Sequence, residues 1–139
     1  MKPILHILSA IALVATLNSC NNIYKFELEN IVRAECEKCP MPINEGMMQT
    51  KVELTDTCVL FTIEYDENLY QANYVDGKAS SIKQTMLNNI NVSSIDMRSY
   101  LNELASNAKN CRLPLIWLYK SSRTHKETIV KIEPEEIAN

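Results

Sequence analysis

An apolar run near the amino terminus limits how much of this 139-residue chain can belong to a folded body. The run extends from Ile4 to Leu17, follows Lys2 and is interrupted only by His6, Ser9 and Thr16. As a helix it would be about 21 Å long, whereas the hydrocarbon core of a bilayer is about 30 Å thick. The run therefore has the length of a secretory signal sequence and is too short for a permanent membrane span.

The residues that end the run, Leu17-Asn18-Ser19-Cys20, resemble the lipobox of bacterial lipoproteins: an aliphatic residue, two small residues and a cysteine. The resemblance implies that residues 1–19 are a signal peptide and that Cys20 carries fatty chains such as palmitate. Each buried CH₂ group adds about 0.8 kcal/mol, so several acyl chains anchor a protein to a membrane. The alternative is an ordinary signal peptide with a cysteine nearby by chance. We predict a lipidated tether at residues 20–22 and one domain at residues 23–139.

The composition after Cys20 is that of one ordinary globular domain. The whole chain is 46% hydrophobic and 22% charged, with a mean hydropathy of −0.16, and about 120 residues are enough for one core. Thirteen basic and seventeen acidic residues follow Cys20, which gives this part a net charge of −4. A mildly acidic surface does not attract a phosphate backbone, so we predict no nucleic-acid partner.

The cysteines agree with export to an oxidising compartment. Cys36, Cys39, Cys58 and Cys111 remain after Cys20. Four thiols can form up to two disulfides in three connectivities, and the sequence does not select among them.

The first half of the domain is predicted to contain a helix and a hairpin. Apolar residues at helical spacing predict a helix over Ile23–Glu35. Prolines and a glycine in residues 36–46 indicate a loop. Alternating patterns then predict strands at Thr50–Leu54 and Cys58–Tyr65, joined by a turn at Thr55–Thr57.

The second half is predicted to contain two helices and a second hairpin. The helices are expected at Ala79–Asn89 and, after a capping box at Ser93, up to Ala108. The strands are expected at Leu113–Lys120 and Thr128–Glu133. The order αββααββ predicts an α+β fold in which a four-stranded antiparallel sheet, made of two hairpins, packs on helices.

Several segments resemble those of uncharacterised lipoproteins from Bacteroides-type bacteria. They are Cys39-Pro40, Gly46, the strand end Phe61–Glu67 and the terminal hairpin and tail, Leu118–Lys120 and Val130–Glu136. The resemblance covers about residues 30–137. It implies a cystatin-like or nuclear-transport-factor-like domain, in which a curved antiparallel sheet cradles a helix, and it implies no particular chemistry.

The pair Cys36 and Cys39 is the one motif that raises the question of a reaction. A redox-active CxxC needs a thiolate stabilised by the start of a helix, whereas this pair follows a predicted helix, lies beside Glu35 and Glu37 and precedes Pro40. A structural disulfide is the better interpretation. A zinc site would require Cys58 and Cys111 to converge on the pair without a second CxxC. We predict no catalytic residue, no metal and no cofactor.

The sequence therefore favours an envelope lipoprotein, held by Cys20 on the outer membrane and facing the periplasm. Its function is expected to be non-catalytic binding of an envelope protein or a small ligand. One alternative is a small-molecule enzyme of the nuclear-transport-factor-like fold with a buried acid such as Glu64 or Asp66, and another is a thiol-disulfide protein that uses the Cys36/Cys39 pair. Three tyrosines near the end of the second strand are candidates to line a ligand pocket: Tyr65, Tyr70 and Tyr74.

Overall fold

A computed structural model describes residues 22–92 and 100–138. Helix α1 covers residues 22–37 and is followed by strands β1 (Met41–Asn44), β2 (Met47–Leu54) and β3 (Val59–Tyr65). The next elements are helices α2 (Ala72–Gly77), α3 (Ala79–Ile90) and α4 (Tyr100–Asn110), strands β4 (Leu115–Ser121) and β5 (Glu127–Ile132), and a 3-10 turn at Pro134–Glu136.

The strands form one mixed sheet in the order β1-β2-β3-β4-β5. The central pair, β3 and β4, is parallel, from Val59 opposite Leu115 to Tyr65 opposite Ser121. The other neighbouring strands are antiparallel. Helices α2 to α4 lie between β3 and β4 in sequence, so they form the long connection that a parallel pair requires.

The predicted four-stranded antiparallel sheet is wrong, although the broader α+β class is correct. Two hairpins are present, but the helical crossover brings β4 beside β3 in the same direction, which rules out the antiparallel cystatin-like or nuclear-transport-factor-like arrangement. A fifth strand, β1, also forms at the edge in a segment that was expected to be a loop. Apolar residues on both faces of β4, such as Ile116 beside Trp117, are typical of a parallel strand and were the missed signal.

One face of the sheet packs on the helices and forms the core. On β3 this face carries Val59, Phe61, Ile63 and Tyr65, all buried as the alternating pattern predicted. Strand β4 adds three buried residues, Leu115, Trp117 and Tyr119. From the helices come Leu28 and Val32 of α1 and Leu104, Ala105 and Ala108 of α4.

The β1–β2 turn depends on Gly46. Its φ of 80° lies in the left-handed region, which a residue with a Cβ adopts only at a cost. The space is also restricted, because a Cβ placed here would be 2.6 Å from Cδ1 of Leu69. The carbonyl of Gly46 accepts a hydrogen bond from the N–H of Asp66, which fixes the turn to the end of β3.

The remaining predicted elements agree with the structure to differing extents. The turn at Thr55–Thr57 is confirmed, since the N–H of Thr55 donates to the carbonyl of Cys58. The helix predicted from Ser93 is seen from Tyr100 onward, and residues 93–99 lie outside the described residues. The short helix α2 was not predicted.

Over residues 22–92 and 100–138, no helix combines the length and the apolar character needed to cross a membrane.

Candidate functional site

An open groove with a volume of about 900 Å³ separates α1 from α4. Its walls come from both helices, and the end of α3 and the carboxy-terminal tail complete it. The lining residues are Tyr24, Glu27, Asn30, Ile31, Ile90, Asn91, Val92, Asn102, Glu103, Ser106, Asn107, Asn110, Ile137 and Ala138.

Helical spacing explains which side chains face the groove. Tyr24, Glu27 and Ile31 lie three or four residues apart on α1 and therefore share one side of the helix. On α4 the same spacing relates Glu103 to Ser106 and Asn107. The groove therefore lies between one face of α1 and one face of α4.

Asparagine side chains fix the part of the groove that is formed by the end of α3, α4 and the carboxy-terminal tail. The amide of Asn102 donates to the carbonyls of Asn89 (2.9 Å) and Ile90 (2.5 Å), which joins the start of α4 to the end of α3. The amide of Asn91 donates to the carbonyl of Glu136 at 3.2 Å, and its Oδ1 accepts the N–H of Ala138 at 2.8 Å. These bonds fix the carboxy-terminal tail against the helices.

The lining combines a few apolar side chains with many amides. Ile90 and Ile137 are buried and Ile31 is half-buried, while Ser106 and Asn110 are exposed at the rim. Apolar contacts supply affinity, and the exposed amides of Asn30 and Asn110 can supply hydrogen bonds, so such a groove is suited to a peptide segment with one apolar side. Within the described part of the chain, no three His, Cys, Asp or Glu side chains are placed to hold a metal ion.

The predicted site cysteines are distributed over opposite ends of the sheet. Cys20 lies outside the described residues. Cys36 and Cys39 lie at the end of α1, where the amide of Gln49 approaches the sulfur of Cys39 at 3.9 Å. Cys58 immediately precedes β3, and Cys111 follows α4.

These positions restrict how disulfides can form. The N–H of Val59, next to Cys58, donates to the carbonyl of Pro114, which brings the Cys58 and Cys111 segments to the same end of the sheet. Gln49, whose amide lies beside Cys39, pairs with Ile63, five residues along β3 from Cys58. The end of the sheet at Cys39 is therefore about 16 Å from the end at Cys58. A disulfide needs Cα atoms within about 7 Å. All four described cysteines are free thiols in the structure, and the predicted disulfides stay a prediction.

The surroundings of Cys39 do not activate its thiol. Burial raises its pKa, and charge repulsion from the neighbouring Cys36 and Glu35 raises it further against the opposing hydrogen bond from Gln49. The S–H of Cys39 also lies 3.5 Å from the carbonyl of Glu35, its acceptor at the end of α1. A thiol that keeps its proton is a weak nucleophile.

Sequence reasoning missed Glu35 as a buried acid. Its side chain is only 3% exposed, and its Oε1 accepts a 2.6 Å hydrogen bond from Nζ of Lys38. Its Oε2 has no hydrogen-bond partner among the residues described. The signal was its position, because Leu28, Val32 and Glu35 recur at spacings of four and three on the buried side of α1.

The acids and tyrosines named from the sequence do not form an enclosed site. Glu64 is exposed, and Asp66 accepts the N–H of Asn68 at 2.9 Å; both line a shallow depression of about 350 Å³. Tyr65 is buried, whereas Tyr74 is 55% exposed. Tyr70 donates instead to the carbonyl of Glu45 at the β1–β2 turn.

Comparison with known proteins gives the fold and no family. No protein-family model and no curated protein sequence matches the chain. The pilotin EpsS of the Vibrio vulnificus type 2 secretion system is similar in structure, with a TM-score of 0.60 at 7% identity over 88% of this chain and 98% of EpsS. A candidate secreted protein from Pseudomonas aeruginosa has a TM-score of 0.56 at 11% identity over 81% of this chain and 95% of its own. At these identities the likeness establishes a shared fold.

Proposed function

We propose that this chain is a lipid-anchored protein of the bacterial envelope that binds a segment of another envelope protein in the groove between α1 and α4, without catalysis. Cys20 provides the anchor, and the outer membrane facing the periplasm is the proposed location. The single observation that carries the binding role is the groove itself, with its apolar side chains and its rim of amides.

The comparisons support the envelope setting. One structural neighbour is a pilotin of a secretion system and another is a candidate secreted protein, and this fold covers most of both chains. The lipobox-like Leu17–Cys20 and the resemblance to Bacteroides-type lipoproteins support the same setting from the sequence.

The chemistry of the described residues supports binding over catalysis. Glu64 and Asp66, the candidate buried acids of an enzyme, line an open depression instead of an enclosed pocket. The raised pKa of Cys39 works against thiol-disulfide exchange at the Cys36/Cys39 pair. Neither position provides an activated nucleophile or a general base beside an enclosed cavity.

Site-specific photocrosslinking in the native envelope tests the binding role. A photoreactive amino acid replaces Ser106, which is exposed at the rim of the groove. The matched control replaces Ile129, which is 59% exposed on the opposite face of the sheet. We expect a discrete crosslinked protein from position 106 and none from position 129.

A second variant distinguishes groove binding from a nearby contact. Ser106→Trp fills part of the groove and should abolish the crosslink formed from a probe at Glu103, another lining residue. If the crosslink appears only from position 129, or if Ser106→Trp leaves it unchanged, the groove is not the binding site.

A further inference from the structure

The first described turn of α1 carries two large apolar side chains that face away from the core. Ile23 is 61% exposed and Phe26 is 64% exposed. They lie three residues apart, so they share one side of the helix. Leu28 and Val32, 0% and 6% exposed, occupy the side that packs on the core. The exposed pair therefore does not contribute to the packing of the domain.

Within residues 22–37, the apolar character of this outer side is confined to Ile23 and Phe26. Further along the same side, the exposed residues are Arg33 and Glu37, and Asn30 lies between this side and the groove. A helix that lay flat on a membrane would need apolar residues along its whole outer side. The pair Ile23 and Phe26 is suited instead to shallow contact by one helix end.

The position of Cys20 indicates what this end meets. Only two peptide units separate Cys20 from Asn22, where the described part of α1 begins, so these residues are at most about 7–8 Å apart. Interfacial helices place their apolar side chains about 5–10 Å into the boundary between headgroups and acyl chains. Acyl chains on Cys20 would therefore bring Ile23 and Phe26 within reach of the lipid.

Two cations lie at the same end of the molecule. Lys25, in the first described turn of α1, is exposed. It lies near Cys111 at the end of α4, because its positive charge lowers the pKa of Cys111 and partly offsets the rise caused by burial. Arg112 follows Cys111 and is also exposed. Basic residues at a membrane surface are attracted to the phosphates of anionic lipids. The first acidic residue in the described part of α1 is Glu27, which directly follows Phe26.

We propose that Ile23 and Phe26 insert into the lipid surface to which Cys20 is attached, and that this contact sets the orientation of the domain on the membrane. The inference rests on the proposed lipid anchor and adds a second membrane contact, made by Ile23 and Phe26. One consequence concerns the groove, because Tyr24 lines it. The end of the groove at Tyr24 then opens near the membrane surface, where a segment of an envelope protein is within reach.

Tryptophan quenching in vesicles tests the proposed insertion. The processed, lipidated protein is reconstituted into phosphatidylethanolamine and phosphatidylglycerol vesicles with brominated acyl chains. One variant carries Phe26→Trp, and the matched control carries Arg33→Trp, about 10 Å further along the outer side of the helix. Trp117, which is 3% exposed, is present in both, and the unsubstituted protein supplies its contribution to the emission.

We expect quenching at position 26 at least about threefold stronger than at position 33, given the shallow depth of interfacial insertion. Equal quenching at both positions would mean that α1 lies flat, and absence of quenching at position 26 would mean that the helix end stays in water; either result overturns the proposal. Vesicle flotation separates this from the anchor. Protein that floats without quenching at position 26 retains the anchor and refutes the insertion, while protein that does not float refutes both.

Discussion

Phe61 and Trp117 lie opposite each other on the parallel strands β3 and β4, and their rings stack with centroids 4.7 Å apart and planes within 6°. Both side chains are almost fully buried, at 1% and 3% exposure. The pair joins two strands that are separated in the chain by three helices. It is therefore a long-range contact between the two strands that form the parallel pair of the sheet.

Replacing Trp117 by Ala should strongly destabilise the domain. Loss of a buried aromatic ring typically costs about 3–5 kcal/mol, because burial is lost and a cavity remains. Urea unfolding of the processed protein measures the change. The matched control is Ile129→Ala on the exposed face of the sheet, for which about 0.5 kcal/mol or less is expected. Similar losses for the two variants would contradict the central role of the stacked pair.

Because Glu35 is buried and paired with Lys38, we expect removal of Lys38 alone to lower stability more than removal of both charges. Lys38→Met removes the partner of a carboxylate that is only 3% exposed, and should cost about 1–3 kcal/mol at neutral pH. Adding Glu35→Leu to that variant should restore much of the stability, because no unpaired charge then remains buried. Urea unfolding of the single and double variants measures both effects. If Lys38→Met has no effect, the carboxylate is stabilised by something other than Lys38.

We expect Asp76 to contribute to the loss of folding stability at acidic pH. The hydroxyl of Thr128 donates a hydrogen bond to it and Lys126 lies beside it, and both lower its pKa from the ordinary value of 3.8. A depressed carboxyl pKa stabilises the folded state above pH 3.8, and this contribution is lost as the pH falls through the folded value. Asp76→Asn should therefore make stability less dependent on pH below about 4.

Thr128→Val provides the matched test, since it keeps the carboxylate and removes its main hydrogen bond. Both variants should show a reduced slope of unfolding free energy between about pH 4 and pH 2, and the reduction should be smaller for Thr128→Val because Lys126 still lowers the pKa of Asp76. If the slope of unfolding free energy against pH in both variants equals that of the unsubstituted protein, Asp76 does not contribute to acid unfolding.

Disulfide mapping tests the placement of the cysteines. If the exported protein is oxidised, its bonds should join Cys36 to Cys39 or Cys58 to Cys111, because the two pairs lie at opposite ends of the sheet. Peptide mapping without reduction identifies the bonds. Cys58, 8% exposed, should be alkylated more slowly than the half-buried Cys36 in the reduced protein. A bond between Cys39 and Cys58 would contradict the described fold.

Local patterns predicted the parts of the fold that depend on local geometry. The alternation in β3 identified its buried face because side chains point to opposite sides of a strand along its length. The turn at Thr55–Thr57 and the helical spacing of Leu28 and Val32 were likewise readable from neighbouring residues. The direction of β4 relative to β3 was not, because it depends on where three intervening helices pack.

The candidate site shows the same limit. The groove joins Tyr24 and Ile31 of α1 to Asn91 and Ile137, which are far apart in the sequence and meet only through tertiary packing. Glu35 was visible as an acid beside a cysteine, but its burial follows from the docking of α1 on the core. Cys20 is the opposite case, since its prediction depends only on the residues before it.

The most direct measurement for the proposed function is mass spectrometry of the amino-terminal peptide of the protein extracted from bacterial membranes. The account predicts a peptide that begins at Cys20 and carries the mass of attached fatty chains. A peptide that still contains the apolar run from Ile4 to Leu17, or an unmodified Cys20 on a protein that leaves the membrane in buffer, would contradict it.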